Sequence, residues 1–132
     1  MKYLPRILKL LFGLILLGVI GIIIFIQTVD FSINQETIDA TFTDLMYKPV
    51  YKNLQFKGRN IHYVSIGDTS NQTVLFVHGS PGSWDNFLGF LSDTSLLKNF
   101  HMIAVDRPGF GKSGNGIPEK SLEQQAASIS KV

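Results

Sequence analysis

Two stretches of the sequence decide the fold. Residues 74–82 read Val-Leu-Phe-Val-His-Gly-Ser-Pro-Gly, and residues 102–114 read Met-Ile-Ala-Val-Asp-Arg-Pro-Gly-Phe-Gly-Lys-Ser-Gly. Each begins with a continuous apolar run, which is typical of a strand buried on both faces of a parallel sheet. Each run leads into a loop rich in glycine and proline. Because open α/β sheets bind ligands at the carboxyl ends of their strands, both loops are predicted to lie at a ligand-binding edge.

The segment between these two strands is predicted to form a helix. Four apolar residues share one helical stripe at i, i+3, i+4 and i+7: Trp84, Phe87, Leu88 and Leu91. Ser83 precedes the stripe as a predicted N-cap, and Asp85 falls in the first turn, where the helix dipole favours a negative charge. A strand, a helix and a strand at this spacing indicate a right-handed crossover between parallel strands.

Further elements flank this unit on both sides. Two short runs, 54–57 and 61–66, are separated by Gly58, Arg59 and Asn60 and predict an antiparallel hairpin. After the second loop, Ser121 and Gln124 have the spacing of a capping box, which predicts the start of another helix. The fold class is therefore α/β, with a hairpin followed by parallel strands and crossover helices.

The chemistry of the chain is expected in the two loops. The first consists of His78, Gly79, Ser80, Pro81 and Gly82. Glycines let backbone N–H groups face a substrate oxygen, so an amide donor here could stabilise an oxyanion. A cis bond is an option before the proline. Taken alone, this loop is equally compatible with a tight strand-to-helix turn.

The second loop is predicted to form the neighbouring part of the active-site edge. Its candidate residues are Asp106, Arg107, Pro108, Gly109, Gly111 and Ser113. Pro108 and Gly109 suit the central positions of a type II turn. Alone, this loop has the same two interpretations as the first.

Together, the two loops resemble the α/β-hydrolase superfamily. That family pairs His-Gly-x-Pro after its third strand with Asp-x-Pro-Gly-x-Gly-x-Ser after its fourth, and residues 78–81 and 106–113 fit both. The resemblance covers about residues 54–132. It implies an eight-stranded, mostly parallel sheet and a backbone N–H oxyanion donor at Ser80. In the family, the residue after the nucleophile supplies the second donor.

The resemblance also shows which family parts these 132 residues lack. The nucleophile elbow reads Gly-x-Ser-x-Gly, and residues 78–82 and 111–115 are only near misses. In the family, the nucleophile, the acid and the histidine come in that order, so all three are expected after Val132. The chain is therefore expected to be the N-terminal portion of a hydrolase for a small ester, amide or related bond, inactive alone.

By this resemblance, none of the three histidines is the catalytic base. We expect a strand-surface position for His62, loop packing for His78 and an exposed strand start for His101. Ser80 and Ser113 are expected to be turn hydroxyls rather than nucleophiles. At the position of Ser80, haloalkane dehalogenases tend to have asparagine, whereas proline iminopeptidases resemble this chain in the His-Gly-x-Pro-Gly form.

The N-terminal region predicts one membrane span. Residues 10–29 carry no charge and would reach about 30 Å as a helix, the thickness of a bilayer core. A cleaved signal peptide is the alternative, although no small-x-small cleavage pattern follows. Lys2, Arg6 and Lys9 precede the run, so the N-terminus is expected in the cytoplasm and the hydrolase-like part outside the cell membrane.

The rest of the composition excludes several classes of function. From Asp30 onward, nine basic residues face ten acidic ones, so no nucleic-acid-binding face is predicted. Cysteine is absent, which excludes disulfides, thiolate metal sites and a cysteine nucleophile. No metal or cofactor is expected, and the expected partners are the bilayer and a small-molecule substrate. Three parts are predicted: anchor 1–29, linker or short helix 30–53, and hydrolase portion 54–132.

Two further interpretations stay open. Residues 109–114 fit Gly-x-Gly-x-x-Gly, the outline of a dinucleotide-binding turn, but Gly116 and Pro118 delay the following helix. The Gly-Lys-Ser string also hints at a P-loop, although Asp106 occupies the place of its first glycine. The remaining interpretation is a non-catalytic membrane fragment of a shortened gene.

Overall fold

The computed structural model describes residues 4–28, 33–114 and 116–132. The chain divides into two compact units, Met1–Asp30 and Phe31–Val132. The first unit holds one helix, α1 (Leu4–Thr28), whose stretch Pro5–Phe25 is long and apolar enough to cross a membrane. A signal sequence meets the same test of length and composition. The helix thus begins before the uncharged run, and Val29, the last residue of that run, lies outside the described residues.

The second unit is built on a four-stranded sheet in the order β1-β2-β4-β3. Its strands are β1 (Val50–Phe56), β2 (Arg59–Ile66), β3 (Gln72–Val77) and β4 (Phe100–Val105). β1 and β2 form the predicted hairpin, β2 also pairs antiparallel with β4, and β3 pairs parallel with β4. The fold class inferred from the sequence is confirmed.

The hairpin turn differs from the prediction. Phe56 pairs with Arg59, so the turn contains only Lys57 and Gly58. Both have positive φ, at 49° and 75°, which is the requirement of a type I′ turn. The two strands are consequently longer than the apolar runs that indicated them, because polar residues of the hairpin also join the ladder.

Helices precede, connect and follow the strands. α2 (Gln35–Phe42) precedes β1, and a 3-10 helix (Trp84–Phe87), α3 (Leu88–Leu91) and α4 (Thr94–Leu97) lie between β3 and β4. The fifth α-helix, α5 (Leu122–Ile129), follows the second loop. The helices that precede α5 in the second unit and strands β2 and β4 share one core cluster: Ile38, Phe42, Val64, Ile66, Trp84, Leu88, Leu91, Leu97, Met102 and Ala104.

The predicted caps have different outcomes. Ser121 caps α5 as expected, because its hydroxyl accepts the N–H of Gln124 at 3.3 Å. Ser83 has the extended backbone of an N-cap, but its hydroxyl donates to the Asp85 carboxylate and accepts no helix N–H. The predicted side-chain cap at Ser83 is therefore wrong, since a nearby buried carboxylate is the stronger partner.

The burial of β3 differs from the prediction, whereas that of β4 agrees with it. β4 is buried almost throughout, as predicted. β3 is an edge strand of the described sheet, and Leu75 and Val77 remain 43% and 46% exposed. Burial on both faces is therefore wrong for β3 in the described residues: Val74 and Phe76 pack against the core cluster, whereas Leu75 and Val77 lie on the opposite, exposed face.

Candidate active site

The two candidate loops begin side by side at one edge of the sheet. β3 and β4 run parallel with Val77 opposite Val105, so His78 and Asp106 are the first residues beyond matched strand ends. The parallel register thereby brings together the two motifs that the sequence placed at the carboxyl edge.

His78 joins the two loops through both ring nitrogens. Its Nε2 accepts the backbone N–H of Arg107 at 3.0 Å, so its Nδ1 carries the proton and donates to the Gly79 carbonyl at 2.7 Å. The ring is only 3% exposed, and this burial is the main reason that its pKa is lowered from the ordinary value. A neutral His78 in this tautomer is thus a loop-packing group, as expected.

Arg107 reinforces the same contact. Its Nη1 donates to the His78 carbonyl at 3.2 Å, and its Nε donates to the side-chain oxygen of Gln125 in α5 at 3.0 Å. The guanidinium also lies 4.8 Å from the ring centre of Phe110, whose edge in turn packs on His78. A single side chain therefore joins the first loop, the second loop and α5.

Asp106 is the most buried acid of the site, with 0% exposure. Its Oδ1 accepts the backbone N–H of Trp84 at 2.7 Å, and its Oδ2 accepts the backbone N–H of Lys112 at 3.0 Å. The Nδ1–H of His62 donates to the same Oδ2 at 2.8 Å. A buried carboxylate needs such donors. Asp106 therefore organises the loops and is not free to act on a substrate.

The position of His62 corrects the sequence prediction. We expected a strand surface, but the side chain is 3% exposed and pairs with Asp106. Ser113 completes this network: its hydroxyl accepts the backbone N–H of His62 at 2.7 Å and donates to the Asp106 carbonyl at 2.6 Å. Ser113 is thus a structural hydroxyl, in line with its predicted role.

His101 also departs from its predicted exposed position. It is 8% exposed and pairs with the Ser65 and Thr73 hydroxyls at 2.8 and 3.1 Å. Burial is the main cause of its lowered pKa, and nearby Lys52 adds to it. This cluster lies at the start of β4, at the strand end opposite the two loops.

The glycines of the second loop are required by close contacts. The predicted turn at Pro108 and Gly109 is present, with the N–H of Phe110 donating to the Arg107 carbonyl at 2.9 Å and Gly109 at φ +91°. A Cβ at Gly109 would lie 2.4 Å from the Ile117 carbonyl oxygen, and one at Gly111 would lie 2.5 Å from the Asp106 carboxylate. Neither position has room for a side chain.

The first loop presents an accessible amide. Gly79, Ser80 and Pro81 are exposed, and the Ser80–Pro81 bond is cis. Within the described part of the chain, nothing accepts a hydrogen bond from the backbone N–H of Ser80. The backbone N–H of Ser80 is therefore available to a ligand at the carboxyl edge of the sheet.

Metal ligation has little support in this unit. In residues 4–28, 33–114 and 116–132, no group of three histidine or acidic side chains could hold a metal ion.

The functional contacts that sequence reasoning missed are those of His62, Gln125 and Asp85. Each acts on a residue far away in sequence, so no local pattern could have indicated it.

Comparisons with known proteins agree with this geometry. A family model described as alpha/beta hydrolase fold matches residues 72–132. Epoxide hydrolase 3 of Mus musculus is 36% identical over 56 residues, which are 42% of this chain and 15% of that protein.

Two solved structures resemble the chain over a longer stretch. A bacterial membrane phospholipase A shares 25% identity and a TM-score of 0.59, covering 92% of this chain and 38% of that one. A haloalkane dehalogenase from Agrobacterium tumefaciens shares 25% identity and a TM-score of 0.55, covering 69% and 29%. This chain thus spans well under half the length of each relative. The matches confirm the resemblance that the two loops indicate: the chain forms part of an α/β-hydrolase fold.

Proposed function

We propose that this chain is the front part of a membrane-anchored α/β-hydrolase that cleaves a small ester, amide or related bond. In the longer protein, the backbone N–H of Ser80 would be one of two oxyanion donors. A nucleophile, an acid and a histidine from later in the chain would carry out the covalent chemistry.

The observation that carries the proposal is the accessible backbone N–H of Ser80. It lies on a loop whose first residue, His78, is held in place by hydrogen bonds. His78 lies directly before the exposed residues and is bonded to Arg107 on both its ring and its carbonyl. An oxyanion donor is effective when it is held in place before the reaction. The contacts of His78 supply that fixation, while Ser80 itself stays accessible.

The proposal includes inactivity of these 132 residues alone. The sequence contains no Gly-x-Ser-x-Gly string. One oxyanion donor is worth about 3–4 kcal/mol of the activation barrier when the other groups are present, and it forms no covalent bond. Without a nucleophile and a base, this contribution has no reaction step on which to act.

Membrane anchoring through residues 10–29 is the second part of the proposal, with the N-terminus in the cytoplasm. The uncharged helix and the basic residues before it support this topology. The match to the membrane phospholipase covers 92% of this chain, whereas Phe31–Val132 makes up 102 of 132 residues, about 77%. The similarity therefore extends into the first unit. Because that relative is named as a membrane phospholipase, the similarity favours an ester substrate near a membrane.

Nucleotide binding at residues 109–114 has less support. A phosphate-binding turn needs free backbone N–H groups. Here Gly109 donates to Ser113, Phe110 to Arg107, Lys112 to Asp106 and Ser113 to Phe110. The helix that should follow directly begins only at Leu122.

The test is to read the DNA after codon 132 in the same frame. We expect an elbow with a serine or aspartate nucleophile, followed by an acid and a histidine. A stop codon with no such sequence downstream would contradict the hydrolase proposal and favour a non-catalytic membrane fragment.

A further inference from the structure

We propose that residues 33–48, here called the membrane-proximal segment, position the oxyanion loop by binding the carboxylate of Asp85. The inference rests on the proposed function, because that function gives the loop its role. It gives the segment that the sequence indicated as a linker or short helix a structural part in the site.

Asp85 is the point of contact. Its side chain is 3% exposed, so its carboxylate needs hydrogen-bond donors. The backbone N–H of Ile33 donates to Oδ2 at 2.7 Å, and the hydroxyl of Ser83 donates to Oδ1. Ser83 directly follows the loop 78–82. One buried carboxylate therefore links the start of the membrane-proximal segment to the end of the oxyanion loop.

The apolar side of the segment belongs to the core cluster that contains the first helical residues after the loop. Ile38 and Phe42 of α2 are 4% and 3% exposed and belong to the core cluster that contains Trp84 and Leu88. Trp84 also donates its backbone N–H to Asp106. The segment thus contributes to the burial of the residue that connects the two loops.

The segment is internally ordered enough to hold a position. Asn34 caps α2 by accepting the N–H of Thr37 at 2.8 Å. At the other end, the Phe42 carbonyl accepts Lys48 Nζ at 3.0 Å and the backbone N–H of Leu45 at 3.3 Å, so the last turn of the helix is held from two sides. A capped helix with two buried side chains transmits a displacement better than a flexible linker would.

The consequence concerns the chain path after the membrane helix. Ile33 follows α1 closely in sequence, and its backbone N–H is a donor to a buried charge. A change in path that moves Ile33 would leave the Asp85 carboxylate, among the residues that the structure describes, with the Ser83 hydroxyl as its donor, and Ser83 is continuous with the loop. The order of the oxyanion loop is therefore coupled to the membrane-proximal segment.

The test removes the backbone N–H of Ile33 and leaves the Asp85 carboxylate in place. Ile33→Pro deletes the donor, and Ile33→Ala, the matched control, keeps the N–H while shortening the side chain. The full chain in lipid nanodiscs would be measured by amide hydrogen exchange. We expect exchange at Trp84 and Asn86 to be about tenfold faster or more in Ile33→Pro, because a buried charge-assisted bond is lost. Ile33→Ala should leave these rates unchanged.

A double variant separates this coupling from general loosening. Asp85→Ala should also accelerate exchange at Trp84 and Asn86, and adding Ile33→Pro to it should have no further effect, since both remove one interaction. The amides of Met102 and Ala104 in β4 should be unaffected throughout. Unchanged exchange at Trp84 and Asn86, additive effects of the two substitutions, or equal acceleration in β4 would each overturn the inference. The measurement needs no catalysis, so it stands apart from the test of the hydrolase proposal.

Discussion

Replacing Asp106 with asparagine tests whether this buried carboxylate holds the site together. The substitution keeps the shape of the side chain, but it exchanges one acceptor oxygen for an NH₂ group. Three donors converge on the present carboxylate, from the backbone N–H groups of Trp84 and Lys112 and from the ring of His62. Asparagine can accept from only part of this set.

The expected cost follows from the contacts that are lost. If the remaining oxygen stays on Trp84, the Lys112 N–H faces another donor, which costs about 1–3 kcal/mol. The bond from His62 loses its charged acceptor, which costs about 1.5–3 kcal/mol more. We therefore expect the free energy of unfolding to fall by about 2.5–6 kcal/mol, with Tm lower by about 10 °C or more for a domain of this size.

The assay is urea unfolding of the full chain in detergent, followed by the fluorescence of Trp84, the one tryptophan of the sequence. The matched control is Asp93→Asn, which makes the same chemical change at the exposed N-cap of α4. Asparagine and aspartate cap helices about equally, so the control should change little. A loss below about 0.5 kcal/mol for Asp106→Asn, or equal losses in both variants, would refute the assigned role.

The remaining predictions concern pH, backbone space and the membrane. The pKa values of His78 and His101 are lowered in the folded chain, so stability should be complete above about pH 6.5 and decline as the pH falls below it; denaturant midpoints that do not decrease between pH 7.5 and 5.5 would contradict this. Gly109→Ala should destabilise more than Gly58→Ala, because both have positive φ but only Gly109 lacks space; equal denaturant midpoints would disprove the contact argument. The protein should stay in the membrane fraction after an alkaline carbonate wash, and a shortened soluble product would instead identify a cleaved signal. Protease added outside intact cells should digest the region after Asp30, whereas full protection beside an opened-cell control would reverse the proposed orientation.

The local patterns of the sequence predicted the elements that depend on neighbouring residues. The i, i+4 relation of Trp84 and Leu88 placed two core residues correctly, although the first turn is a 3-10 helix. Pro108 and Gly109 specified their turn because proline fixes φ and glycine permits positive φ. The two loops indicated the fold through their resemblance to a known family, and the parallel register places both motifs at one sheet edge.

The buried polar contacts could not be predicted in the same way. His62 lies two residues from the buried Val64 on the same strand, but its partner Asp106 lies 44 residues away in sequence. The contact of Ile33 with Asp85 spans 52 residues. Charge and spacing along the chain do not encode such pairs, because the tertiary fold brings them together.

The membrane-proximal segment also could be predicted only in part from local patterns. Ile38 and Phe42 have the i, i+4 spacing of a helix face, but α2 has only eight residues, too few to be stable alone. Its packing against the core gives it stability. The helix and the start of β1 at Val50 therefore both fall within the segment 30–53 that the sequence indicated as a linker or short helix.

The most direct test of the central claim is p-nitrophenyl acetate hydrolysis by the full 132-residue chain in detergent, measured beside Ser80→Ala. The variant keeps the backbone N–H of the oxyanion loop and removes only the hydroxyl. We predict that neither protein exceeds the uncatalysed rate, because the loop supplies one donor and no nucleophile. Turnover well above background would contradict the account, and its loss in Ser80→Ala would identify Ser80 as the nucleophile.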